Sequence, residues 1–149
     1  MKWNCNMGDF IFLLDTNIIS DLIRNPAGIA AQQLAEKGDT SICTSIVVAC
    51  ELRFGACKKG FAPLTARVDE ILSLIEVLPL EVDTDRHYAH IRARLEKDGA
   101  PIGPNDLLIA AQCLSLGLTL VTANTAEFSR IPGLAVENWL EDRGKNSFR

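Results

Sequence analysis

Apolar positions along the chain fall into short runs separated by segments of helical period. Phe10-Ile11-Phe12-Leu13-Leu14 is continuously apolar, the pattern of a strand covered on both faces of a parallel sheet. The run ends at Asp15-Thr16-Asn17, and a helical segment from Ile18 to Arg24 stops at Asn25-Pro26. A second helix is predicted over 29–37, closed by Gly38, and a short strand over 40–43. Ser45 is placed to cap a helix over 46–59 that Gly60 ends. Residues 63–75 read as the next helix and 77–80 as the next strand. The helix predicted over 83–98 carries an apolar stripe at Tyr88, Ile91 and Leu95, and Gly99 stops it. Pro104-Asn105-Asp106 opens a helix that is apolar nearly all round from Leu107 to Leu114, so it belongs in the interior. A strand at 118–121, a helical turn at 125–128 and a last strand at 134–136 complete the pattern. This alternation, without repeats or linkers, predicts an α/β three-layer sandwich: a mainly parallel central sheet flanked by helices.

With 149 residues the chain suits one domain that buries its own core. We expect that domain at 7–140, because Met7 directly precedes the first apolar run. Residues 1–6 read as an N-terminal extension and 141–149 as a polar tail. No apolar run approaches the roughly 18 residues of a membrane span, and residues 1–6 lack the apolar core of a signal peptide. The five cysteines are odd in number and lack CxxC spacing, which reads as reduced, mostly buried thiols of a cytoplasmic protein. Cys50 and Cys57 share a helix face, but two thiols alone make a poor zinc site. The net charge of −4 argues against a protein that coats nucleic acid. It still allows an acidic site that meets phosphate through a cation.

Three acids stand at the ends of predicted core elements or inside them. Asp15 follows a strand directly, where open parallel sheets place their sites, and could equally cap the helix behind it. Glu51 sits among Val47, Val48, Ala49, Cys50, Leu52 and Phe54. It either pairs with Arg53 or Lys58, faces solvent, or binds a cation. Asp106 lies in the first turn of the most apolar helix, which suits the helix dipole as well as a site. Together these acids suit Mg²⁺, a hard cation that takes carboxylate oxygens and keeps several waters. Such chemistry needs no Ser, Cys or His nucleophile, and no convincing one is present. Arg53, Lys58 and Lys59 lie on the Glu51 helix as phosphate-contact candidates or as solvated charges. The basic segment 86–94 reads as a solvated face because Glu96 and Asp98 follow. His87 and His90 there read as exposed helix histidines, and Trp139 as a cover for the core edge.

These stretches resemble the PIN-domain ribonucleases, and most closely the VapC toxins of type II toxin–antitoxin pairs. The resemblance lies in Leu13-Leu14-Asp15-Thr16-Asn17, Glu51-Leu52-Arg53-Phe54-Gly55, Ile102-Gly103-Pro104-Asn105-Asp106 with its apolar continuation, and Leu120-Val121-Thr122-Ala123-Asn124. It extends through Glu127-Phe128 and Ile131-Pro132-Gly133-Leu134 and covers nearly all of 11–139. It implies an RNA endonuclease requiring Mg²⁺, with Mn²⁺ as a substitute. Asp15, Glu51 and Asp106 match the family's metal-binding acids, and Thr16 and Asn17 its small polar neighbours. Many members carry a fourth acid where this chain has Asn124; Glu127, one helical turn on, offers a carboxylate instead. The resemblance also implies a homodimer and a cognate VapB antitoxin that inserts a segment into the acidic groove. A housekeeping RNA-processing PIN nuclease and a catalytically silent RNA- or protein-binding PIN domain are the alternatives. A phosphatase of a related sandwich fold would want a second acid at position 17, where Asn17 stands. No residue announces which RNA is read.

Overall fold

The computed structural model describes residues 9–141. The extension expected at 1–6 and all but the first residue of the tail expected at 141–149 lie outside it.

Five strands form one sheet: β1 (Phe12–Leu14), β2 (Ile42–Ser45), β3 (Glu76–Leu78), β4 (Thr119–Val121) and β5 (Val136–Glu137). Their order is β3-β2-β1-β4-β5, and every neighbouring pair is parallel. Between and around them run α1 (Thr16–Arg24), α2 (Ile29–Lys37), α3 (Ile46–Lys59), α4 (Ala62–Leu74), α5 (Thr84–Lys97), α6 (Pro104–Leu116) and α7 (Thr125–Phe128). This is the doubly wound α/β sandwich expected from the alternation.

The central strands explain why the apolar runs are continuous. Leu13, Leu14, Leu120 and Val121 have no exposed surface, since β1 and β4 carry helices on both faces. β1 is shorter than its apolar run. Ile11 is half exposed, and pairing with β2 and β4 begins only at Phe12. β2 lies two residues later than expected, because Asp39–Ser41 form a 3-10 turn closed by the Ser41 hydroxyl, which donates to the Lys37 and Gly38 carbonyls. β3 and β5 are likewise shifted by one or two residues.

α6 is the interior helix that its composition predicts: Leu107, Ile109, Ala110, Ala111, Gln112 and Cys113 are all buried. Gln112 donates to the Leu78 and Pro79 carbonyls at 3.3 and 3.0 Å, which ties α6 to the end of β3. This anchoring fixes where the first turn of α6, and with it Asp106, meets the sheet. Trp139 is 1% exposed and stacks edge-on against Phe12, with ring centroids 5.2 Å apart, so it closes the core edge.

The expectation of mostly buried thiols needs correction. Cys43 and Cys113 are buried, whereas Cys50 and Cys57 are exposed. α3 packs on the interior through Val48, Leu52 and Ala56, and positions 50 and 57 fall on its outer face. No helix among the described residues is long and apolar enough to cross a membrane.

Candidate active site

The strand order reverses at β1: β2 lies on one side of it and β4, more than a hundred residues later in the chain, on the other. In open α/β sheets the crevice beyond the carboxyl ends of the strands at such a switch point is where ligands bind. Leu14 is in register with Val121, so the next residues, Asp15 and Thr122, emerge side by side into this crevice.

Asp15 does cap α1, with Oδ1 accepting from the Thr16 N–H at 2.8 Å. The cap does not exhaust the carboxylate. Oδ2 accepts from the Thr122 hydroxyl at 2.7 Å and from Asn17 Nδ2 at 3.4 Å. Capping and site chemistry are therefore compatible, because a carboxylate offers about four acceptor positions. Burial raises the pKa of Asp15, and the Thr122, Thr16 and Asn17 hydrogen bonds pull against that rise.

Thr16 and Asn17 form the first turn of α1 and connect Asp15 to its surroundings. The Thr16 hydroxyl donates to Glu51 Oε1 at 2.9 Å, which brings α3 to the site. Asn17 Oδ1 accepts from the Ala123 N–H at 2.9 Å, and its Nδ2 lies 3.3 Å from Thr122 Oγ1. Glu51 therefore pairs with neither Arg53 nor Lys58; its partner is 35 positions away.

Asp106 completes the group. Its pKa is pushed up to about 6, first by desolvation and then by the negative charges of Asp15, Glu127 and Glu51. Its protonated form also hydrogen-bonds to Glu127. A helix N-terminus favours a carboxylate by about 0.3–1 kcal/mol, less than one pKa unit. At Asp106 burial and like charge push the carboxyl up, against the direction of the dipole. Four carboxylates thus share one crevice. The Asn124 N–H donates to Thr122 Oγ1 at 3.0 Å, and Asn124 itself is exposed at the start of α7.

No three His, Cys, Asp or Glu side chains among the described residues sit close enough to form a ready-made metal cage. Mg²⁺ does not require one, since it is held by one or two carboxylates with water filling the remaining positions. The donor set is all oxygen, and its mutual repulsion would be relieved by a divalent cation. The residues present therefore fit Mg²⁺ or Mn²⁺.

The basic candidates separate. Arg53 turns away from the crevice to pair with Asp69 on α4. Lys58 is exposed, while Lys59 lines a cleft shared with Thr16 and Glu51. Arg92 pairs with Glu96 and Arg94 with Asp98 along α5, so the basic segment is a solvated face. Arg53→Ala is expected to change stability by less than about 1 kcal/mol, as for other exposed ion pairs, and to leave RNA cleavage near its original rate. A rate loss of tenfold or more in a cleavage assay would place Arg53 at the substrate after all.

Thr122 is the site residue that sequence reasoning overlooked. The available signal was positional: like Asp15, it is the first polar residue after a buried apolar strand.

A PIN-domain family model matches residues 12–134. A "tRNA(fMet)-specific endonuclease VapC" of Shigella flexneri is 39% identical over 130 residues, covering 86% of this chain and 97% of that protein. "Ribonuclease VapC2" of Rickettsia felis is 38% identical over 132 residues, covering 87% and 98%. Among solved structures, VapBC2 from Rickettsia felis, bound to a DNA fragment from its promoter, contains a chain that superposes with a TM-score of 0.82 at 35% identity. That match covers 87% of this chain and 99% of the other. The chain belongs to the PIN-domain family and, within it, to the VapC ribonucleases.

Proposed function

We propose that this protein is a metal-dependent RNA endonuclease, the toxin of a VapBC-type toxin–antitoxin pair. The observation that carries the reading is the convergence of Asp15, Glu51, Asp106 and Glu127 on one crevice at the switch point of the sheet. Asp15 and Asp106 would hold Mg²⁺ or Mn²⁺, with Glu51 and Glu127 beside them. When bound, the cation supplies charge neutralisation at the scissile phosphate and lowers the pKa of a water.

The chain's own residues supply the rest. Thr122 and Asn17 hold the Asp15 carboxylate in a fixed orientation, with an acceptor position left over. Thr16 donates to Glu51, which would accept a proton from an attacking water. Glu127, beside Asp106, would hold a water that protonates the departing oxygen.

Relatives named for tRNA(fMet) make a transfer RNA the first substrate to try. Neighbouring structures are VapBC complexes, which supports a VapB-like partner. A cleft of about 290 Å³ lined by Leu22, Ala31, Leu34, Ile71 and Leu74 offers that partner an apolar seat. Exposed Phe54 and Phe61 suit a homodimer, and the exposed free thiols Cys50 and Cys57 suit the reducing cytoplasm.

The test is cleavage of transfer RNA by the purified chain and by Glu51→Gln, each with Mg²⁺, with Mn²⁺ and with a chelator. Cleavage is expected from the unaltered chain only, and only with metal. Equal cleavage by both proteins would remove Glu51 from the mechanism. RNA binding without cleavage under every condition would make the chain a silent binding domain.

A further inference from the structure

The crevice does not end at the carboxylates. A cleft of about 260 Å³ runs from Thr16 and Glu51 along the seam of α1 and α3, with α4 as its far wall. Thr16, Ser20 and Arg24 line it from α1, and Glu51, Gly55 and Lys59 from α3. Each set is spaced four residues apart, so each forms one helical face. The Thr16–Glu51 hydrogen bond joins the two faces at the acidic end, and both helices run away from it. Arg24 and Lys59 therefore line the same cleft, each about two helical turns on from Thr16 and Glu51.

Neither cation joins an ion pair among the described residues. The floor between them is apolar: Leu52, Ala56, Leu64 and Val68. Gly55 adds an independent sign. Glycine inside a helix costs about 1 kcal/mol relative to alanine. A Cβ at this position would meet nothing within 4 Å, so helix packing does not demand glycine. Its effect is to keep the cleft open.

We propose that this cleft is a nucleotide subsite: it takes the RNA residue adjoining the scissile phosphate, with the base on the apolar floor and a neighbouring phosphate between Arg24 and Lys59. The cleft is too small for a folded RNA element, and it joins one cationic end to one acidic end, matching a single nucleotide beside a metal-held phosphate. The assignment rests on the nuclease reading and deepens it by naming the groups that position the strand.

The experiment measures binding of a short single-stranded RNA to the full chain across a salt series, with Asp106→Asn as the background that holds the RNA uncut. Arg24→Ala and Lys59→Ala are each expected to weaken binding several-fold and to lower the slope of log K against log salt by about 0.7. Arg24→Lys should retain the slope. Gly55→Leu, which fills the cleft, should weaken binding at every salt concentration and leave the slope alone. Lys58→Ala, in the same last turn of α3 but outside the cleft, should match the background protein. Unchanged binding and slope in both alanine variants would overturn the proposal. So would a loss confined to binding of a VapB-like peptide, which would make the cleft an antitoxin seat. Cleavage by the unaltered chain is scored separately. If it is absent while the slopes change as stated, the nuclease reading fails, and the cleft is a nucleotide contact of an RNA-binding domain with no scissile phosphate beside it.

Discussion

Asp106→Asn is expected to abolish metal-stimulated RNA cleavage and, in the same protein, to raise the stability of the metal-free fold. The activity loss follows from the place of Asp106 among four carboxylates. Removing one charge from a metal-holding set forfeits several kcal/mol of transition-state stabilisation. A loss of about 4 kcal/mol corresponds to a rate drop on the order of a thousandfold. The stability gain follows from the same crowding. The carboxyl is pushed up to about 6 from 3.8, so its charged form is disfavoured in the folded state. The folded protein binds more protons than the unfolded chain between these values. Stability from this group therefore falls as pH rises through that window, and its full penalty is present above about pH 6. Asp106 is half-buried and solvent screens part of the effect, so the gain from Asn is about 1 kcal/mol. For a chain of this size that is about 2–4 °C in melting temperature. Thermal melts in chelator at pH 7 and pH 5 check it: the gap between the two proteins should narrow at the lower pH. A variant that is both inactive and less stable at pH 7 would mean that Asp106 serves packing and not a strained site.

Thr122→Val is expected to cost both stability and rate, although Thr122 carries no charge and need never touch RNA. Its hydroxyl is fully buried and uses its whole hydrogen-bonding capacity. It donates to Asp15 Oδ2 and accepts from Asn17 Nδ2 and the Asn124 N–H. Valine preserves the shape and removes all three bonds. Asp15 Oδ2 would keep only the 3.4 Å contact to Asn17. Stranding buried polar groups in this way costs about 1–3 kcal/mol. Loss of an outer partner of a metal-binding group lowers metal affinity or activity by about 10–100-fold. The Asp15 pKa should also rise further, since the strongest hydrogen bond opposing desolvation is gone. Metal-supported cleavage would then need a higher pH. Thr122→Ser retains the hydroxyl and should recover most of the rate. Rate–pH profiles of Val and Ser variants decide the matter: if both cut like the original chain, Thr122 is only a core residue.

Much of this site was legible because its parts are local. Ser45 caps α3 through its hydroxyl, as read from its place before an apolar helix. Asp15 ends an apolar strand and begins a helix, and both roles follow from neighbours within two residues. Gly60 and Gly117 stop α3 and α6 in the left-handed region, where glycine carries no Cβ penalty. Helix and strand order is written in periodicity, which each segment carries by itself.

What periodicity cannot carry is which strand lies beside which. Parallel strands of similar apolar content are interchangeable by pattern, and only the packing of helices on both faces selects the order β3-β2-β1-β4-β5. That order sets Thr122 against Asp15 across 107 positions and Thr16 against Glu51 across 35. It also turns Arg53 towards Asp69, draws Lys59 into the cleft with Arg24, and leaves Cys50 and Cys57 outside the core. The sequence by itself determined the acids, their caps and the elements that bear them, because those depend on adjacent chemistry. The tertiary structure alone decided which groups share a crevice, because long-range register is selected by the burial of the whole sheet and by no single segment of it.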